Sequence, residues 1–116
     1  MDSITVYEKP TCTTCRKMVK MLNEMGIDFD KVNYYIEPFK KTQLKELLKK
    51  MNMKPSELLR KNDKAYKELN FKNNDYSEDQ ILDLMINDHN LIQRPIIEKG
   101  EKAILGRPIE KVKEIL

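Results

Sequence analysis

Between Ser3 and Tyr7 the apolar Ile4 and Val6 alternate with polar neighbours, and the alternation stops at Glu8-Lys9-Pro10-Thr11. This pattern predicts a short strand ended by a turn. The period then changes. Cys15, Met18, Val19, Leu22 and Met25 fall on one face of a helix, and Gly26 supplies a natural stop. Residues 27–35 carry Phe29, Val32 and the pair Tyr34-Tyr35 ahead of Glu37-Pro38, which predicts a second strand. Strand, helix and strand in this order make a β-α-β unit, and a right-handed crossover would set the two strands parallel.

From about Pro38 to Asn90 helical periodicity replaces the strand signals. Leu44, Leu47, Leu48 and Met51 make one stripe, and Pro55 suits the first turn of a short helix that carries Leu58 and Leu59 inward. Ser77-Glu78-Asp79-Gln80 reads as a capping box opening a third helix through Ile81, Leu82, Met85 and Ile86. The polar stretch Asn70 to Tyr76 should be a loop. Strand signals return at Arg94-Pro95-Ile96-Ile97-Glu98 and Ala103-Ile104-Leu105, flanking Lys99-Gly100-Glu101, a turn of hairpin length. Pro108 then opens a last helix, with Ile109, Val112 and Ile115/Leu116 facing inward. The expected fold class is α/β: β-α-β, a helical insertion over about 38–90, then β-β-α, in one domain spanning 1–116.

The length agrees with that organisation. A chain of 116 residues can build one core, burying roughly 65% of its unfolded surface. No apolar run approaches the roughly 18 residues of a membrane span, and Met1 to Tyr7 does not read as a leader, so no membrane and a cytoplasmic location are expected. The 22 Lys+Arg against 19 Asp+Glu leave a formal charge of only +3, with the signs interleaved. Direct nucleic-acid binding is therefore not expected. Of the basic residues only four are arginine: Arg16, Arg60, Arg94 and Arg107. In a chain that otherwise prefers lysine, these are candidates for work that needs a planar, permanently charged fork, although chance usage would also explain them.

Both cysteines sit in Cys12-Thr13-Thr14-Cys15, between the first strand and its helix. A helix N-terminus offers unpaired N–H groups and a positive dipole end, which favour a thiolate, and Arg16-Lys17 add positive potential. Cys12 would be the activated thiol and Cys15, one turn on, could attack an adduct formed on it. A zinc site would want four ligands, and the chain adds only His89 to this pair, so no metal is expected. A structural disulfide does not suit a leaderless chain. Two inert buried thiols stay open as an alternative, because Cys15 lies on the apolar face of its helix.

Four motifs together carry a family resemblance: Tyr7-x-x-Pro10-x-Cys12, Leu59-Arg60-Lys61-Asn62, Arg94-Pro95-Ile96-Ile97 and Gly106-Arg107-Pro108. In order and spacing they resemble the glutaredoxin-coupled arsenate reductases, over essentially the whole chain, and the element order resembles a thioredoxin-like fold. The resemblance implies a thiol-dependent oxidoreductase that reduces arsenate to arsenite through a covalent Cys12–arsenate adduct. It implies Cys12 as nucleophile and Arg60, Arg94 and Arg107 as the oxyanion-binding trio, whose guanidinium forks suit a tetrahedral dianion. By analogy Pro95 would be cis, holding backbone against Cys12. No bound cofactor is implied. Glutathione would be co-substrate, and glutaredoxin or thioredoxin the protein partner.

Two positions depart from the family pattern. Cys15 stands where the related reductases commonly carry a serine or other non-thiol residue, and would permit a Cys12–Cys15 disulfide. Glu8 stands where the best-known members have a histidine, and an unpaired carboxylate there would raise a nearby thiol pKa. The Spx-type regulators share the fold, the Cys-x-x-Cys-Arg-Lys opening and an Arg-Pro-Ile-Ile segment. They use the cysteine pair as a switch and bind the α subunit of RNA polymerase, so such a regulator is one alternative, and a general thiol-disulfide redox protein is another. Gly106-Arg107-Pro108 favours the reductase pattern. The seven methionines and the lysines at 40, 41, 45, 49 and 50 read as packing and a solvated helix face. His89 is expected just past a helix end without chemistry, and Tyr7 and Tyr66 as packing.

Overall fold

The computed structural model describes residues 3–116. The described elements are β1 (Ile4–Glu8), α1 (Thr13–Glu24), β2 (Asp30–Asn33), α2 (Lys41–Met51), α3 (Pro55–Leu58), α4 (Lys64–Glu68), α5 (Glu78–Asn87), β3 (Ile96–Lys99) and β4 (Lys102–Leu105). Single 3-10 segments follow α5, at His89–Leu91, and β4, at Ile109–Glu114. The chain divides into two compact units. One holds the residues up to Glu37 together with Arg94–Leu116, and the other is Pro38–Gln93.

The first unit is a four-stranded sheet in the order β2-β1-β3-β4. β1 pairs with β2 in parallel, and β1 with β3 and β3 with β4 antiparallel. Ile4, Val6, Met18, Leu22, Ile97, Val112 and Ile115 form its core. The period-two alternation of β1 explains that set: Ile4 and Val6 share one face of the strand, and α1 lays Met18 and Leu22 across it. Tyr7 takes the other face, where its hydroxyl donates to Glu98 at 2.8 Å. The helix ends as its sequence dictates. Gly26 adopts φ 70, and the Ile27 N–H reaches back to the Leu22 carbonyl at 3.1 Å, which closes the last turn.

Three elements of this unit differ from the sequence reading. The second strand is shorter, Asp30–Asn33 instead of 27–35, because Asn33 turns the chain. Its side chain accepts the Tyr35 N–H at 3.0 Å and its carbonyl accepts those of Ile36 and Glu37. The hairpin has a two-residue loop, Gly100-Glu101, with Gly100 at φ 58 as such loops demand. The final segment is 3-10 and not α-helical; its inward residues, Val112 and Ile115, are three apart, the spacing that a three-residue turn stacks in line.

The second unit is helical. Ser77 caps α5 by accepting the Gln80 N–H while the Gln80 side chain accepts the Ser77 N–H, the reciprocal box read from the sequence. Leu44, Leu47 and Leu48 of α2, Leu58 of α3, and Ile81, Leu82 and Met85 of α5 are all buried. The region around Asn70 to Tyr76 is loop, but it follows the short α4 and encloses an aromatic cluster, Tyr66, Phe71 and Tyr76, with centroids 4.9 and 5.0 Å apart. Among the described residues no helix is long and apolar enough to cross a membrane.

Candidate active site

The site begins with the turn that β1 makes before α1. The Cys12 N–H bonds the Lys9 carbonyl at 2.9 Å, which closes that turn and delivers Cys12 as the N-cap of α1. A cap residue normally offers an oxygen to the first free amides, and here a sulfur does so: the Cys15 N–H points at Cys12 Sγ from 3.4 Å. Both thiols are free. Cys12 is 8% exposed and Cys15 fully enclosed, so the first can meet a solute and the second only its neighbour.

Their acidities are driven apart. Burial pushes the Cys12 thiol up, but the Cys15 N–H, the Cys15 side chain and the Arg94 guanidinium together bring it down to about 7. For Cys15 burial prevails. With the added repulsion of Cys12 and Glu8, and despite a bond from the Lys9 N–H, its pKa rises to about 12. Near neutral pH Cys12 is therefore about half ionised while Cys15 stays a hidden thiol, the division of labour a nucleophile and a resolving group require.

Arg94 is the charge beside the thiolate. It is buried, and its peptide bond to Pro95 is cis, as is that between Arg107 and Pro108. Its Nη1 donates to the Tyr35 hydroxyl at 3.3 Å, and its Nε is buried without a protein partner. Burial alone would lower its pKa; contacts with Cys12, Tyr34 and Tyr35 outweigh that and raise it. Arg107 lies on the surface and anchors its Nε on the Arg94 carbonyl at 2.7 Å. Gly106, just before Arg107, is tightly packed: a Cβ there would lie 2.5 Å from Met18 Cε and 2.8 Å from Ile97 Cδ1, and those side chains would have to shift.

The first unit thus brings together Cys12, Cys15, Arg94, Pro95 and Arg107. Arg60 belongs to the second unit, where its backbone N–H bonds the Leu91 carbonyl at 2.7 Å and its guanidinium pairs with Asp63 at 2.6 Å. Two residues that sequence reasoning had passed over as strand also reach the site. Tyr34 is fully buried and its hydroxyl pKa is raised, by burial first, while Arg94 opposes the rise. Tyr35 sits under the Lys9 ammonium, 4.8 Å from the ring centroid, and against Tyr34 at 5.0 Å. The signal that could have found them is Asn33 directly before the aromatic pair, an Asx-turn former where a strand was expected to continue. Glu8, singled out as a departure, is buried, and burial raises its pKa against the pull of Lys31.

A thiol at a helix N-terminus and, beside it, a guanidinium with an unused buried N–H are groups of the kind that attract an oxyanion. Comparison with known proteins gives the same direction. A profile of the ArsC family matches residues 7–115. The chain is 34% identical over 114 residues to the protein YfgD of Escherichia coli K12, covering 97% of this chain and 96% of that one. It is 34% identical over 116 residues to an arsenate reductase of Acidiphilium multivorum, covering 100% of this chain and 82% of that one. The solved structure of an arsenate reductase from Vibrio cholerae superposes with a TM-score of 0.92 at 30% identity, over 99% of this chain and 98% of the other. With its thioredoxin-like sheet, its cysteine at the first helix and its matched length, the chain belongs to the ArsC family.

Proposed function

We propose that the protein reduces arsenate to arsenite at Cys12. The observation that carries this reading is the contact between a thiol with a pKa of about 7 and the guanidinium of Arg94, whose Nε is buried without a protein partner. Arsenate is a tetrahedral anion that repels a thiolate. Arg94 and Arg107 offset that repulsion, and the family resemblance adds Arg60 as a third arginine.

The Cys12 thiolate attacks As(V) and an arsenate oxygen leaves as hydroxide or water, forming a Cys12 Sγ–As bond. A second thiol then attacks. The two sulfurs end as a disulfide, the electron pair of the broken S–As bond stays on arsenic, and As(III) departs as arsenite. The second thiol is glutathione or Cys15. Closure by Cys15 leaves an intramolecular disulfide for thioredoxin or glutaredoxin to reduce.

The test is NADPH-coupled arsenate reduction, run with glutathione plus glutaredoxin and, separately, with thioredoxin plus its reductase. Cys12→Ser should abolish turnover, and Arg94→Ala, Arg107→Ala and Arg60→Ala should each lower kcat/KM by about a hundredfold. Cys15→Ser should spare the glutathione route and stop the thioredoxin route. Wild-type protein that forms the disulfide but shows no arsenate-dependent turnover with either donor would overturn the reading and make polymerase binding the next measurement.

A further inference from the structure

Glu8 occupies an unusual place for a carboxylate. It is the last residue of β1 and only 6% exposed, and it lies on the face of the strand that packs against α1. The register can be followed residue by residue. Ile4, Val6 and Glu8 point the same way, because side chains alternate along a strand. α1 lays Leu22 and Met18 in the cluster with Ile4 and Val6, and one turn nearer its N-terminus the same helical face carries Cys15. Glu8 is therefore the β1 residue that continues the series toward Cys15. The next residue, Lys9, sends its N–H to the Cys15 sulfur, which fixes that sulfur at the end of β1.

Glu8 also lines an open hollow of about 510 Å³ together with Pro10, Arg16 and Lys31, so one carboxylate borders both a buried thiol and a solvent-reachable hollow. The charged and titratable groups around it are Cys15 and Arg16 from the first turn of α1, Lys20 and Glu24 farther along that helix, and Lys31 from β2.

We propose that Glu8 is the proton acceptor for the Cys15 thiol in the step that closes a Cys12–Cys15 disulfide. The proposal rests on the reading of the two cysteines as a redox pair. Cys15 cannot attack as a thiol, and burial and its neighbours keep it protonated at neutral pH. As Cys15 Sγ forms its bond to Cys12 Sγ, the bond from Cys12 to its adduct breaks and the electron pair leaves with the departing atom. The Cys15 proton passes to the Glu8 carboxylate and from there to the cavity. With an arsenic adduct, As(V) gains two electrons; with a mixed disulfide, the departing sulfur leaves as thiolate. Two departures from the family pattern, Cys15 and Glu8, thereby become parts of one device. A histidine at position 8 would serve the ionisation of Cys12; a buried carboxylate serves the deprotonation of Cys15.

The experiment needs no arsenate. The fully reduced protein is mixed with one equivalent of the aromatic disulfide 5,5′-dithiobis(2-nitrobenzoate), and aryl thiolate release is followed by absorbance. The first equivalent reports attack by Cys12, the second displacement by Cys15. In Glu8→Gln, a neutral near-isostere, the second phase should slow about tenfold or more relative to the first, and Glu8→Asp should restore part of the ratio. In wild type the second phase should fall on acidification with a midpoint above the ordinary carboxylate range, and Glu8→Gln should lack that limb. A ratio and pH profile unchanged in Glu8→Gln would overturn the role of Glu8 and leave the cysteine pair intact. Release of a single equivalent by wild type would overturn the redox pair, and this proposal with it. Neither result depends on arsenate turnover, so a failure of the arsenate reading alone remains distinguishable.

Discussion

The groups that touch the Arg94 guanidinium are a thiol and two phenols. A carboxylate partner would neutralise the positive field that Cys12 feels; a phenol holds the guanidinium in place and leaves its charge whole. Tyr35→Phe removes the acceptor of Arg94 Nη1 without changing the ring that stacks beside Tyr34. It should cost about 1 kcal/mol of stability and move the Cys12 pKa upward from about 7, read as the midpoint of iodoacetamide alkylation against pH. An unmoved midpoint would mean that Tyr34 alone positions Arg94. At this scale the sequence was legible where chemistry and motif coincide: the N-terminal position of Cys12 on α1 follows from Pro10, the turn and the apolar stripe behind it. Tyr34 and Tyr35 were hidden because strand propensity and an Asx turn compete at Asn33, and the turn, which needs only one side-chain carbonyl, ended the strand early.

At the level of elements, α1 and the β3–β4 hairpin meet over a glycine. Gly106 admits Met18 Cε and Ile97 Cδ1 into the space where any other residue carries its Cβ, and its N–H bonds the Pro95 carbonyl at 2.8 Å. Gly106→Ala should cost about 2 kcal/mol through overpacking and lower Tm by several degrees in a calorimetric scan. Shortening the partner should relieve the clash, so that Gly106→Ala with Met18→Ala loses less than the sum of the two single changes. Strict additivity would show that the backbone shifts instead. The hairpin and α1 were readable because their signals are local: Gly100 for the loop, Gly26 for the helix end, period 2 against period 3.6 for the faces. The last segment was not. Pro108, Ile109, Val112 and Ile115 satisfy a helical pattern and a 3-10 pattern alike, and only the tertiary fit of Val112 and Ile115 to the sheet separates them.

For the molecule as a whole, the divergent thiol acidities make stability depend on pH in a way that two cysteine variants can dissect. Cys12 is more acidic in the folded chain than the usual cysteine value of 9.0, so its ionisation contributes stability that is present above pH 9 and lost as pH falls toward about 7. Cys15 has the opposite sign. Its folded pKa of about 12 lies above the unfolded value, so the stability it lends is complete below about pH 9 and declines as pH rises beyond it. Under reducing conditions, urea unfolding of wild type minus Cys12→Ser should therefore grow by on the order of 2 kcal/mol between pH 7 and 9. Wild type minus Cys15→Ser should shrink above pH 9. Equal profiles for all three proteins would mean that the two thiols ionise alike in the folded and unfolded chain. The open end of the hairpin has a consequence of the same reach. Arg94 precedes β3, Arg107 follows β4, and the second is hung by its Nε on the carbonyl of the first, beside the Ile96–Leu105 pair that closes the ladder. The two strands act as the arms of a caliper whose jaws are guanidinium groups. The backbone spacing of Arg94 and Arg107 is set by strand register and by the bond from Arg107 Nε to the Arg94 carbonyl, so a slip of one residue would turn one of the two side chains to the opposite face and break that bond.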